Sequence, residues 1–191
     1  MSGAAVDDEE LLRRLGGTIR ARRHGLGLTL VDLAGRAGLS HPFLSQVERG
    51  VARPSMRSLT ALAAALGTTA QALLALPGDE PVSVVPGEPS LPSVDSPGGT
   101  VRSLVHGERP MLPLEFTGAP DEFDEYFIHA GDEFLYVADG TIEVDVEGAL
   151  TVLEARGSLY YEGGLRHRWR RAVPGPVRVI LVQHNVRHDA R

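Results

Sequence analysis

The chain of 191 residues contains neither cysteine nor lysine. The first absence excludes disulfides and thiolate ligation of metals, and it fits a reducing compartment. The second leaves arginine as the only strong cation. Arginine suits bidentate recognition, but so complete a bias reads as genome composition rather than mechanism. No apolar run approaches the length of a membrane span, and the opening MSGAAVDDEE is acidic and polar where a secretion signal would be basic and then apolar. A cytoplasmic protein with no membrane partner is expected.

Charge is plentiful but uneven. Against a net charge of -6, residues 10–75 hold nine Arg and only Glu10, Asp32 and Glu48, a balance of +6, whereas residues 76–191 hold ten Arg and nineteen acids, a balance of -9. A basic N-terminal part can neutralise phosphates while an acidic C-terminal part is pushed away from the same duplex.

The basic part has helical periodicity. LLRRLGGTIRARRHGLGL reads as an amphipathic helix with Leu12, Leu15, Ile19 and the Arg22 stem on successive turns. TLVDLAGRAG and SHPFLSQVERG follow, each opening on a hydroxyl residue suited to an N-cap, and they are joined at a tight Gly38-Leu39 corner. Thr29 has Asp32 three residues on, a loose capping box. SMRSLTALAAALG and TTAQALLAL give two more helices with Ser or Thr starts. In SHPFLSQVERG, Phe43, Leu44 and Val47 supply the apolar face and leave Ser40, His41, Ser45, Gln46 and Arg49 outward or at the helix ends. Such groups suit base edges and phosphates: glutamine pairs with adenine and arginine with guanine or phosphate.

This five-helix order, with LSQVERGVARPS inside it, resembles the lambda-repressor-like or XRE DNA-binding domains over roughly residues 10 to 76. The resemblance implies a major-groove helix beginning at Ser40, with His41, Pro42 and Gln46 facing bases and Thr29 and Arg53 near phosphates. It also makes Glu48 a structural mark of the helix end. Leu30 departs from the pattern, which often has a phosphate-touching Gln there.

The segment from Leu76 to Gly99 is dense in Pro, Gly and Ser, the composition of a linker, although Val82 to Val85 has the pattern of an edge strand. The expected divisions are a disordered tail at 1–9, a helix-turn-helix domain at 10–76, a linker at 77–99 and a second domain at 100–188. Beyond residue 100 the periodicity becomes strand-like, in runs near VRSLV, LPLEF, EYFI, EFLYVAD, TIEVDV, LTVL, SLYY, HRWRR and VRVILVQH. Asp139-Gly140 is the strongest hairpin signal. The fold class expected is a two-domain α+β chain, a five-helix bundle followed by an antiparallel β-barrel or jelly roll.

HAGDEFLYVADGTIEV and SLYYEGGLRHRW resemble the two motifs of the cupin superfamily, small β-barrels that hold a metal or an organic ligand. Glu133 and Gly140 keep the motif spacing, His129 matches its second His and His167 the His of the second motif. Phe127 replaces the first His, and Arg156, Glu162 and Arg171 depart from the second pattern. The resemblance implies a facial triad of His129, Glu133 and His167 for one divalent transition metal (Fe, Zn, Ni or Mn) with positions left open. His129 and Glu133, four apart, share one side of a strand unless Gly131 makes a bulge. The plainer alternative makes the two imidazoles polar lining and Glu133 the partner of a turn. Phe127, Tyr136, Tyr160 and Trp169 are candidates for an effector pocket. Arg166, Arg168 and Arg170 share one strand face, as an anion site or a solvated edge.

The pairing of domains is similar to that of bacterial XRE-cupin regulators. It implies a homodimer on a palindromic DNA operator, with recognition helices about 34 Å apart, that answers to a small-molecule effector or metal. A weaker resemblance is to hydroxypropylphosphonate epoxidase, a mononuclear non-haem iron enzyme that joins a similar helical domain to a cupin. It rests on the His-Glu-His set and the HAG-x-EFL motif. The lysine and tyrosine which that enzyme uses fall at Gly27 and Val101 here, so the regulator reading ranks above the enzyme reading.

Overall fold

Four of the five helices begin where a hydroxyl residue stands ahead of an apolar stripe. The computed structural model describes residues 8–75, 80–87, 93–107 and 109–185. Its helices are α1 (Asp8–Gly25), α2 (Leu30–Ala37), α3 (His41–Glu48), α4 (Met56–Ala65) and α5 (Ala70–Leu74). Thr29, Ser40, Ser55 and Thr69 each accept an N–H from the residue three further on, caps worth about 1 kcal/mol apiece. The box at Thr29 is complete, because the Asp32 carboxylate also accepts the Thr29 N–H at 2.9 Å. Gly38 ends α2 in the left-handed conformation, φ 65°, and turns the chain into α3.

The buried stripe of α1 is Leu11, Leu15, Ile19 and Arg23, not Leu12, Leu15, Ile19 and Arg22; Leu12 and Arg22 are only half-buried. Strict four-residue spacing accounts for this face, and Arg23 joins it because Glu48 meets it there, at 2.7 Å from Nε and 2.9 Å from Nη2. Gly16 lets α1 touch the end of α3: a Cβ at that position would lie 2.3 Å from the Val47 carbonyl oxygen.

The strands are β1 (Ser93–Ser96), β2 (Gly99–Ser103), β3 (Met111–Gly118), β4 (Glu133–Asp139), β5 (Thr141–Val146), β6 (Ala149–Glu154), β7 (Ser158–Tyr161), β8 (His167–Arg171) and β9 (Arg178–His184). They form a six-stranded sheet, β1-β2-β3-β9-β4-β7, and a three-stranded sheet, β6-β5-β8. Two compact units result, one running through Asp95 and again over Arg102–Glu108, the other holding Ser96–Val101 and the chain from Arg109 on.

Several expectations change. Asp139-Gly140 does not close a hairpin, because β4 and β5 belong to different sheets. Asp139 pairs with Arg178, and Gly140, at φ 82°, carries the chain across so close to Pro176 that a Cβ would meet its carbonyl oxygen at 2.3 Å. The tight hairpin is β5–β6, where Glu147 (φ 50°) and Gly148 (φ 87°) give the two left-handed residues that a type I′ turn needs. EYFI is not a strand; only Phe127 bridges, to His167. Val82 and Val84 are exposed and outside any strand, whereas Ser93–Ser96, within the expected linker, forms β1. Helix α1 starts at Asp8, inside the expected tail, whose residues 1–7 lie outside the described residues, as do 76–79, 88–92, 108 and 186–188 of the other expected divisions.

Strand alternation decides which side chains meet. β3 buries Leu112, Leu114 and Phe116, β4 buries Glu133, Leu135 and Val137, and β9 buries Val179, Leu181 and Gln183. Register sets Leu112 beside Gln183, Gln183 beside Glu133, and Glu133 beside Tyr161 in one cross-strand row. Polar groups in the middle of that row, flanked above by Leu135 and Leu181, mark the place where the β unit departs from an apolar core.

Candidate nucleic-acid interface and metal centre

In the helical unit, Leu44 and Val47 are fully buried and Phe43 half-buried, which anchors α3 by one face. His41, Pro42, Gln46 and Arg49 are exposed on the remaining surface, and Ser45 is half-buried among them. The Arg49 guanidinium donates from Nε to the Ser45 carbonyl at 3.2 Å, so its reach starts from the helix end. Ser40 accepts the Phe43 N–H at 3.3 Å. Thr29 is exposed, but its hydroxyl is engaged with the Asp32 carboxylate at 2.6 Å, and Arg53, half-buried, lies beyond the end of α3. The residues picked from the sequence thus share the α2–α3 region, and two of the hydroxyls already serve as helix caps.

In the β unit, His129, Glu133 and His167 come together, with their ligand atoms all within 4.8 Å of one another. His129 Nε2 lies 3.2 Å from Glu133 Oε1 and His167 Nε2 lies 3.3 Å from Glu133 Oε2. Bonds of about 2.1 Å at octahedral or tetrahedral angles hold ligand atoms about 3.0–3.4 Å apart, so each imidazole stands from its nearer carboxylate oxygen at the spacing an ion requires. His129 is not on a strand with Glu133. It sits on the loop before β4, where Gly131 packs so closely on the His184 carbonyl that a Cβ would be 1.9 Å away. Nor does Glu133 complete a turn; it opens β4 and faces inward, 1% exposed.

The surroundings favour ligation over charge. Burial, then the neighbouring His167, pushes the His129 imidazole down to about 4. Burial lowers His167 as well, and burial raises Glu133 to about 7 against the opposing hydrogen bond from Tyr161. Burial thus works against charge on all three groups. His167 Nδ1 faces the Leu165 carbonyl at 3.0 Å, which places the ring proton there and leaves the Nε2 lone pair toward Glu133. The Tyr161 hydroxyl donates to Glu133 Oε2 at 2.5 Å, while Glu133 Oε1, buried, accepts no hydrogen bond at all. A buried carboxylate with one oxygen lacking a donor, approached by an imidazole at each oxygen, is the donor chemistry of a divalent transition ion.

Asp132 fixes the loop that carries His129. Its carboxylate accepts the Gly163 N–H at 2.9 Å and the Tyr160 hydroxyl, and its carbonyl accepts the His184 N–H at 2.8 Å. Of the aromatics expected to line a pocket, Phe127 lies beside the two imidazoles, 6.3 and 6.4 Å between ring centres, and Trp169 packs edge-on against Phe116 on the inner face of β8. Tyr136 and Tyr160 do not line it: alternation turns both to the opposite faces of β4 and β7, and Tyr160 is 58% exposed. Arg168 and Arg170 are engaged by Asp145 and Glu143 on β5 and Arg166 by Glu147, with Phe123 and Tyr126 stacked over the guanidinium groups, so an anion site on that face is not formed. Sequence reasoning missed Arg23, Asp132, Tyr161 and Gln183.

A recognition-type helix over a capped partner helix in one unit, and a His-Glu-His cluster at the join of two β-sheets in the other, define a helix-turn-helix domain and a cupin domain. The family models agree: a helix-turn-helix domain matches residues 14–76 and a cupin domain matches residues 114–183. The chain is similar to an HTH-type transcriptional regulator of Mycobacterium tuberculosis, 43% identical over 58 residues, which are 30% of this chain and 41% of that protein. It is also similar to the HTH-type transcriptional regulator DdrOP3 of Deinococcus deserti, 45% identical over 56 residues, 29% of this chain and 43% of that one. These matches thus span less than half the length of the curated relatives. An HTH_3 family transcriptional regulator from Vibrio cholerae has the same fold over 93% of this chain and 99% of its own, with a TM-score of 0.63 at 16% identity. Among the described residues no helix is long and apolar enough to cross a membrane.

Proposed function

We propose that the chain is a sequence-specific DNA-binding transcriptional regulator, acting as a cytoplasmic homodimer, whose cupin domain holds a divalent transition ion and senses that metal or a small molecule bound to it. The observation that carries the DNA reading is α3, which is anchored by Leu44 and Val47 and presents His41, Pro42, Gln46 and Arg49 on one exposed surface. The helix-turn-helix family match over residues 14–76 and the likeness to HTH-type transcriptional regulators support it. His129, Glu133 and His167 would hold the ion, which supplies a Lewis-acidic position at which an effector donor can bind. Phe127 and Trp169 give the inner surface its apolar part.

The test uses the full chain. Selection from random duplexes, followed by titration of the enriched sequence with and without Mn(II) or Fe(II), should show a preferred palindrome and a metal-dependent affinity. Equal binding to every duplex would overturn the regulator; identical affinity in both states would overturn metal sensing. The second reading, a mononuclear iron enzyme, is favoured by the donor set itself, since two imidazoles and one carboxylate leave several positions on the ion open. Substrate-dependent oxygen uptake by the iron-loaded protein, unaffected by operator DNA, would select it.

A further inference from the structure

We propose that the side-chain amide of Gln183 is a fourth protein donor to the ion held by His129, Glu133 and His167, an inference that rests on the metal reading above. Gln183 lies on β9 directly opposite Glu133 of β4 and shares its inward face. It is 2% exposed, and its Oε1 accepts no hydrogen bond. The Oε1 of Glu133 is likewise buried and without a donor. Side chains paired across adjacent strands have Cβ atoms about 4.5–5.5 Å apart, and Gln and Glu are of equal length, so two side chains that each carry an unsatisfied oxygen are neighbours in one row.

No neighbour in the row donates to the Gln183 oxygen. On its other side Gln183 faces Leu112, and Leu181 precedes it on the same face of β9. The Tyr161 hydroxyl is spent on Glu133 Oε2. A buried amide oxygen beside leucines is unfavourable unless paired, and even with the amide N–H groups turned to the Glu133 carboxylate the Gln183 oxygen still lacks a donor. A cation satisfies both at once. Adding an amide oxygen to a carboxylate and two imidazoles makes an N2O2 set, which moves the preference from zinc toward Fe(II) or Mn(II), ions that take oxygen donors and higher coordination numbers readily.

The experiment titrates metal-free full-length protein with Mn(II) and Zn(II), comparing the wild type with Gln183→Leu and Gln183→Glu, and records the melting temperature of each with and without metal. Gln183→Leu should lose about 10-fold or more in Mn(II) affinity and less for Zn(II). The same variant should melt higher than wild type when metal-free, because the unsatisfied amide is gone, yet gain less on adding Mn(II). Opposite shifts in the two states separate a ligand from a packing residue. Gln183→Glu, nearly isosteric, should bind Mn(II) more tightly through its added charge, and it keeps the test decisive should the leucine variant fail to fold. Wild-type affinities in both variants would overturn the assignment of Gln183 and leave the triad standing. Failure of the wild type to bind either ion would overturn the metal reading and this inference with it.

Discussion

Arg23 and Glu48, 25 residues apart in the sequence, form a buried two-pronged pair in which Nε and Nη2 of the arginine donate to the two carboxylate oxygens at 2.7 and 2.9 Å. The remaining Nη1 donates to the Leu28 carbonyl at 2.8 Å, so the guanidinium also closes the turn between α1 and α2. Loss of one partner leaves a charge buried without compensation. Glu48→Ala should therefore destabilise the helical unit by about 3–5 kcal/mol. Arg23→Met combined with Glu48→Leu should recover most of that loss, and urea denaturation followed by circular dichroism distinguishes the two.

The exposed surface of α3 gives a prediction about specificity. Gln46→Ala should cost roughly 1–3 kcal/mol on the preferred duplex and relax discrimination at one base position, whereas Arg53→Ala should weaken preferred and scrambled duplexes alike. Fluorescence anisotropy at two salt concentrations checks both, and undiminished preference in the Gln46 variant would remove that residue from base reading.

Metal retention should depend on Asp132 although it donates no atom to the ion. Its bonds to the Gly163 N–H and the Tyr160 hydroxyl hold the loop that presents His129. Asp132→Ala should weaken metal binding about 10–100-fold, and Tyr160→Phe, which leaves the backbone bond intact, should cost less. Competition against a chelating dye measures each.

Acid should loosen α2 before neutral pH affects it. The Thr29 hydroxyl and then the Thr29 backbone N–H hold the Asp32 carboxyl below its ordinary value of 3.8. A depressed folded pKa gives stability that is fully present above the unfolded value and is lost as pH falls through the folded one. Asp32→Asn should lower the melting temperature at neutral pH and flatten its decline in strong acid relative to wild type.

How much of this was legible in the sequence follows from distance along the chain. The α2–α3 pair could be read because each of its signals is local: hydroxyl caps at Thr29 and Ser40, an apolar stripe, a left-handed glycine at position 38. His129, Glu133 and His167 could be picked from motif spacing, but not the loop that carries His129. Tyr161 and Gln183 flank Glu133 only through pairings of β4 with β7 and β9, and no local pattern encodes such register. Asp139-Gly140 misled because a turn dipeptide reports the bend and not which strand lies beyond it. Arg23 had a signal that was passed over, a polar residue continuing the Leu15–Ile19 spacing into the core.

Glu133 belongs to the six-stranded sheet and His167 to the three-stranded one. An ion shared between them would act as a rivet through both layers, in a chain with no disulfide to serve that purpose. Loading would then be felt mechanically: the two layers would stop breathing against each other, and amide exchange in β4 and β8 would slow together, far beyond the atoms that touch the metal.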